Sequence, residues 1–276
     1  MTLVPLDLTK TLEENANAFF EQAKKYKKKR EGALHAIALT KEKLAHRDEE
    51  TATKVPKPRV VRREPLWYEK FRWFFSSDGY LCIGGRDATT NEVLIKKHTD
   101  PRDWVFHTDM AGSPFVVVKV AEHGGAREDV PQTTMDEAAQ FCASCSRAWK
   151  SGLAIVEVFY VAPDQVSKEP NPGEYLTKGA FVIRGKTTYK RPRLGLAACT
   201  LSDGRIMVAP RASCERHAAG DVLIELLQGN EKPSEAASLL RKLLPQGDAL
   251  TADEIIRALP AGGVKLGKKT VLRGQS

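Results

Sequence analysis

The sequence has no run of about 18 consecutive apolar residues, so it offers no candidate transmembrane helix. Met1–Lys10 lacks an apolar core ahead of a small-residue cleavage site and does not read as a signal peptide. The expected compartment is the cytoplasm, with no membrane partner. Glycine-rich phosphate cradles are missing as well. Neither G-x-G-x-x-G nor G-x-x-x-x-G-K-[ST] occurs, which disfavours an NTPase or a dinucleotide enzyme. H-E-x-x-H and G-x-S-x-G are also absent. No cofactor is expected. Cysteine is sparse, with five residues: Cys82, Cys142, Cys145, Cys199 and Cys214. An odd count in a cytoplasmic chain argues against a disulfide framework. Cys142 and Cys145 form one C-x-x-C, but structural zinc needs two further ligands at suitable spacing, and Cys199 and Cys214 form no second knuckle. Ala138, Ala139, Phe141 and Ala143 around the pair point to a packed helix, so no metal is expected.

What the chain does have is positive charge. The formal net charge is +8 over 276 residues, and it is segregated. Lys24, Lys25, Lys27, Lys28, Lys29 and Arg30 nearly fill one helical stretch. Lys54, Lys57, Arg59, Arg62 and Arg63 precede the first acidic residue of their segment, Glu64. Lys178, Arg184, Lys186, Lys190, Arg191 and Arg193 form an acid-free stretch, and Lys265, Lys268, Lys269 and Arg273 lie near the C-terminus. Acidic residues gather elsewhere, as at Glu122, Glu128, Asp129, Asp136 and Glu137. Such segregation suits a polyanionic partner.

The first element is predicted as a helix over 8–46. Leu12, Ala16, Phe19, Ala23, Tyr26, Arg30, Ala33, Ile37 and Leu44 follow alternating three- and four-residue steps, with Thr40 filling one slot. A single helix of this kind either docks on its own domain or pairs with a second arm. Residues 48–58 carry Pro56 and Pro58 and are read as a linker. The main domain then follows. Ser77-Asp78-Gly79 and Ser202-Asp203-Gly204 are hairpin signals. A helix is expected to start near Asp87 or Thr89, and strands over 104–107, 115–120, 155–161 and 180–183. Thr134–Glu137 is read as a capping box for a helix reaching Trp149, and Thr251–Glu254 as a second box. Strands are expected over 194–200, 205–209 and 222–227, and Ser234 is expected to cap a helix through Leu244. Residues 261–276 are Gly- and Lys-rich and are expected to be loose. The resulting division is 1–52 helical arm, 53–65 basic linker, 66–192 main domain, 193–260 small extension and 261–276 flexible tail. The fold class is α+β.

In Trp67-Tyr68-Glu69-Lys70-Phe71-Arg72-Trp73-Phe74, alternation along a strand would put aromatics on one face and Lys70 and Arg72 on the other. The segment is either a base-stacking, phosphate-gripping surface or core with a solvated edge. His107 and Asp109, with Ser113 nearby, could share a hydrogen bond, but a hydrolytic triad is a strained reading.

This segment is where the chain resembles a known family. "WYEKFRWFFSSDGYLCIGGRDATTNEVLIKKH" is similar to the hallmark of the RNA-facing NFACT-R domain. "FHTDMAGSPFVVVK", "AWKSGLAIVEVFYVAPDQVSK" and "GEYLTKGAFVIRGK" match the same family in order, over about 66–190. "LDLTKTLEENANAFFEQAKKYKKKREGAL" resembles the returning arm of the family's coiled coil. The C-terminal third, with "IRALPAGGVKL", resembles the extension of archaeal members. The resemblance implies a mixed α/β NFACT-R domain within the α+β chain. It also implies a non-enzymatic role in ribosome-associated quality control, on tRNA, ribosomal RNA or large subunits obstructed by peptidyl-tRNA. The family's tail-synthesis residues lie in its NFACT-N domain and do not carry over. The chain is expected to be a C-terminal fragment or a split gene product, with the second coiled-coil arm supplied by an NFACT-N-containing protein or another copy. Family motif positions here include Lys70, Arg72, Trp73, Gly84, Arg86, Asp87, Asn91, His107, Asp109, Gly112, Arg184 and Lys186. The expected RNA-binding residues are Lys70, Arg72, Trp73, Arg86, Lys96, Lys97, His107, Arg184, Lys186, Lys190 and Arg191, with Asp87 and Asn91 ordering the Arg86 loop and Gly85 serving backbone geometry. Alternatives are an RNA-modifying enzyme using His107 and Asp109, with Cys142 or Cys145, and a coiled-coil adaptor.

Overall fold

A computed structural model describes residues 5–52, 64–170, 173 and 175–272, with side chains over 5–41 in the first stretch. The basic run from Lys54 to Arg63, residues 171–172, Glu174 and the C-terminal Arg273 lie outside the described residues. The chain divides into two compact units, Met1–Arg62 and Arg63–Ser276.

In the first unit α1 spans Leu12–Ala52, longer than the spacing predicts. Thr11 and Glu14 cap it reciprocally: Thr11 N donates to Glu14 Oε2 at 2.8 Å and Glu14 N to Thr11 Oγ1 at 3.2 Å. Asn15 is buried because the preceding loop folds over it. It accepts from Asp7 N and donates to the carbonyls of Asp7, Lys10 and Thr11. Beyond that hook the helix leaves Leu12, Phe20, Tyr26, Leu34 and Ile37 exposed.

The second unit begins with a 3₁₀ turn at Trp67–Lys70, followed by β1 (Arg72–Phe75) and β2 (Leu81–Gly84). Gly79 supplies the positive φ of 89° that their tight turn requires. Next come α2 (Ala88–Lys97), β3 (Trp104–Thr108), β4 (Val116–Val118), the short α3 (Val120–His123), α4 (Gln132–Ser144) and α5 (Arg147–Lys150). Then follow β5 (Val158–Val161), β6 (Val166–Ser167), β7 (Val182–Ile183) and β8 (Thr188–Lys190). The C-terminal part supplies β9 (Leu196–Thr200), β10 (Ile206–Ala209), α6 (Arg211–His217), β11 (Val222–Glu231), α7 (Pro233–Leu243), α8 (Ala252–Ala258) and β12 (Val264–Val271). Helices and antiparallel sheets make this an α+β unit. One sheet runs β1-β2-β4-β3-β5-β8, a second β10-β9-β11-β12, and β6-β7 pair apart.

The first sheet is covered on both faces, which explains why its strands read as continuous apolar runs. Side chains alternate along each strand. Phe74, Cys82, Phe106, Val116 and Val118 meet Met135, Ala138, Phe141 and Cys142 of α4. Ile83, Val105, Val117, Phe159 and Val161 meet Leu94 of α2. Residues of the second sheet, including Ala198, Met207 and Ile224, join the α4-side core. Each fully buried large side chain, such as Phe141 or Leu240, contributes about 1.5–3 kcal/mol of burial free energy.

Four local expectations are corrected. Thr134 and Glu137 do not cap α4, which starts at Gln132. Thr134 Oγ1 donates to Asp78 Oδ2 at 2.8 Å, and Glu137 Oε2 accepts from Ser77 N at 2.8 Å, so both side chains fasten the β1–β2 turn instead. The helix breaks before Trp149, because Ser146 caps a separate α5 by accepting from Ala148 N. Helix α7 starts at Pro233, ahead of Ser234, with proline's fixed φ suited to that first position. The C-terminal stretch expected to be loose contains β12, paired antiparallel with β11. Exposed Lys265, Lys268 and Lys269 on this edge strand hide its inward Val264 from a composition-based reading.

Candidate nucleic-acid interface

The aromatic-basic segment is not one strand with two faces. The 3₁₀ turn sends Tyr68 inward and leaves Trp67 41% exposed, stacked on His98 with ring centroids 4.6 Å apart. Lys70 Nζ donates to His98 Nε2 at 3.1 Å and sits 5.1 Å above the Phe71 ring. Arg72 departs from its expected solvent position: it is buried, donating to Gly85 O and Leu259 O, each at 3.3 Å. Trp73 is half-buried against the Arg205 guanidinium, 4.7 Å from its ring, and the same guanidinium hydrogen-bonds the Tyr68 hydroxyl. Trp67 is therefore the exposed ring that the segment offers for stacking, and the expected ring, Trp73, is engaged inside.

Helix α2 follows the Gly84–Gly85–Arg86 corner. Asp87 caps it, accepting from Thr90 N at 2.8 Å, while Thr90 Oγ1 accepts from Arg86 N at 2.8 Å. Asn91 reaches across to the next loop, accepting from Phe115 N at 3.0 Å and donating to Ser113 O at 3.3 Å. A Cβ on Gly85 would fall 1.9 Å from Asn91 Oδ1, so this corner needs glycine for close approach. At the other end of α2, Lys96 is paired with Glu92 at 2.6 Å, and Lys97 is exposed. Beneath them Lys119 is buried against Asp103 at 2.5 Å and donates to His98 O. Burial, then the charges of Lys70, Lys119 and Lys97, hold the His98 imidazolium below its usual range. It is thus a neutral acceptor for Lys70 at pH 7.

His107 is half-buried and stacks on Phe115 at 4.2 Å. Burial pushes its pKa down to about 4. Asp109 is exposed and accepts from the Tyr189 hydroxyl at 3.4 Å, while Ser113 Oγ donates to Met110 O at 2.8 Å. Cys142 and Cys145 are buried, and burial pushes the Cys145 thiol up to about 11 and Cys142 higher than the usual thiol range. A protonated thiol is a poor nucleophile and metal ligand. Among the described residues no cluster of His, Cys, Asp or Glu could hold a metal ion.

The remaining expected cations divide by location. Arg184 and Lys186 are exposed on the turn between β7 and β8, where Gln165 Nε2 donates to both of their carbonyls. Gly179 packs against Ala88, and its N donates to Glu92 Oε2, so the 175–181 segment lies along α2. Lys190 and Arg191 lie at the far edge of the first sheet, paired with Asp136 and Glu157, each at 2.5 Å. The fold therefore gathers Lys70 and Lys97 with Trp67 around the end of α2. It keeps Arg184 and Lys186 on an exposed turn fastened by Gln165, and commits Lys190 and Arg191 to ion pairs elsewhere.

The family described as NFACT protein RNA binding domain matches residues 70–185. The archaeal Rqc2 homolog aRqcH of Methanocaldococcus jannaschii is 38% identical over 76% of this chain and 30% of its own length. The human ribosome quality control complex subunit NEMF is 37% identical over 64% of this chain and 16% of its own. Ribosome quality control complex subunit 2 of Schizosaccharomyces pombe is 29% identical over 92% of this chain and 24% of its own. The chain thus spans less than a third of the length of these relatives. A solved structure, the C-terminal of the fibronectin/fibrinogen-binding protein from Streptococcus suis, is 20% identical. Its TM-score is 0.36 over 67% of this chain and 76% of that one. This chain contains an NFACT protein RNA-binding domain and is a homologue of the archaeal aRqcH and NEMF ribosome quality control proteins.

Proposed function

We propose that the chain is an RNA-binding component of ribosome-associated quality control that engages tRNA or ribosomal RNA on large subunits obstructed by peptidyl-tRNA. The observation that carries this reading is the RNA-binding domain over residues 70–185, in a chain whose relatives are named for ribosome quality control. Exposed Lys70, Lys97, Arg184 and Lys186, with the Trp67 ring, supply phosphate-gripping charge and a stacking surface. Lys190 and Arg191 contribute less, being held by carboxylates. The chain binds and does not catalyse: the His107 imidazole with its pKa near 4 and the raised Cys142 and Cys145 thiols are poor proton-transfer or nucleophilic groups at pH 7. It acts in the cytoplasm, within a longer protein or beside an NFACT-N-containing partner, with α1 as one coiled-coil arm.

The test is co-sedimentation with native large subunits and anisotropy with labelled tRNA. The triple variant K97Q/R184Q/K186Q is expected to lose roughly tenfold or more in affinity, with a shallower salt dependence. Wild-type chain that binds neither RNA nor subunits sinks the reading. Unchanged binding by the variant sinks this choice of residues.

A further inference from the structure

Around the Gly85–Arg86 corner the sequence points to Arg72 and Arg86, and the fold brings further cations to them. Buried Arg72 donates from Nη1 to Gly85 O and from Nε to Leu259 O. One guanidinium thus ties the corner that carries Arg86 to the C-cap of α8, whose last turn carries Arg257. Helix α5 adds two more. Arg147 Nε lies 3.9 Å from where a Cβ on Gly112 would stand, and the loop after Gly112 is fastened through Ser113 O and Phe115 to Asn91 and Gly85. Lys150 Cβ lies 3.2 Å from the corresponding point on Gly262, and the neighbouring Trp149 Nε1 donates to Gly263 O at 3.0 Å. Arg86, Arg147, Lys150 and Arg257 are all exposed, and among the described residues none of the four forms an ion pair. The nearby carboxylate, Asp87, is engaged as the cap of α2.

We propose that Arg86, Arg147, Lys150 and Arg257 form a composite site for the RNA phosphate backbone, built jointly by the RNA-binding domain and by α8 beyond it. The proposal rests on the RNA-binding reading above and adds a surface that residues 70–185 do not contain alone. Four exposed cations from three segments suit successive phosphates of a strand better than one small anion. Contacts to phosphate carry no base information, so the site grips without choosing sequence. Arg72 is its positioning residue. Burial, together with the Arg72 and Arg257 charges, already pulls the Arg86 guanidinium below its usual range, and a bound phosphate relieves that repulsion.

The experiment is a salt titration of the full chain against a fluorescent RNA hairpin and an RNA single strand, by anisotropy. R147Q/R257Q is expected to bind about tenfold more weakly near 0.1 M salt and to flatten the slope of log affinity against log salt by about one to two. R147K/R257K is expected to recover most of the slope, which a purely structural role for the arginines would not produce. R86Q/K150Q carries the same expectation should the first variant melt early. Folded R147Q/R257Q with wild-type affinity and slope overturns the composite site while the RNA-binding reading survives through wild-type binding. A wild-type chain with no RNA affinity overturns both.

Discussion

At the scale of single residues, the candidate interface is held by buried polar side chains. Asp103 and Lys119 form a buried pair under His98. Asn91 pins the 113–115 loop, and Arg72 joins the Arg86 corner to α8. His107 gives this region a pH signature. Its folded pKa of about 4 lies below the roughly 6.5 of an unfolded histidine, so between those values the unfolded chain binds the extra proton. Its share of stability is complete above about pH 6.5 and is lost as the pH falls toward 4, up to about 3 kcal/mol at 1.36 kcal/mol per pH unit. Urea unfolding at pH 7 and pH 4.5 checks this. H107Q is expected to lose less stability between the two than wild type, and an equal loss in both proteins refutes the assignment. The sequence marked His107 as a site residue through the NFACT-R resemblance and its two-residue spacing from Asp109. Only the packed Phe115 ring reveals that its polarity is suppressed.

At the scale of elements, hairpins and caps were legible because local chemistry decides them. Asp87 and Thr251 cap where they stand, and Gly79 and Gly204 turn where positive φ is needed. Errors arose where tertiary contacts claimed a local signal. Thr134 and Glu137 are spent on a distant turn, and Arg72 leaves a basic-looking strand for two buried carbonyls. Strand β12 was missed because its edge position calls for lysines, which imitate a solvated tail. Its contribution is testable. Truncation after Gly263 keeps the carbonyl that Trp149 uses but strips β11 of its antiparallel partner, next to buried Leu223, Ile224 and Leu226. Loss of about 3–5 kcal/mol is expected, which at roughly 2–4 °C per kcal/mol lowers the melting temperature by about 6–20 degrees. Unaltered melting in calorimetry would show that β12 adds nothing to the fold.

At the scale of the whole molecule, α1 and the Arg63–Ser276 unit present different chemistry. The unit closes its own core around two sheets and spends its surface on cations. Helix α1 does the reverse along one stripe. Leu12 is 75% exposed, Tyr26 66% and Ile37 51%, at the three- and four-residue spacing of a coiled-coil seam. Packing one such stripe against another removes apolar area at about 25 cal/mol per Å², enough over several turns to hold two helices together. Association and RNA binding therefore separate by mutation. L12Q/F19Q/Y26Q/I37Q removes the stripe and leaves the lysines and arginine of residues 24–30 and the α2 surface unaltered. It is expected to abolish self-association, or capture by an NFACT-N-containing partner, in sedimentation velocity and pull-down. Affinity for labelled RNA should stay within about threefold of wild type. Retained association shows that the arm pairs through other residues. A parallel collapse of RNA affinity shows that the RNA surface is assembled only in the paired state.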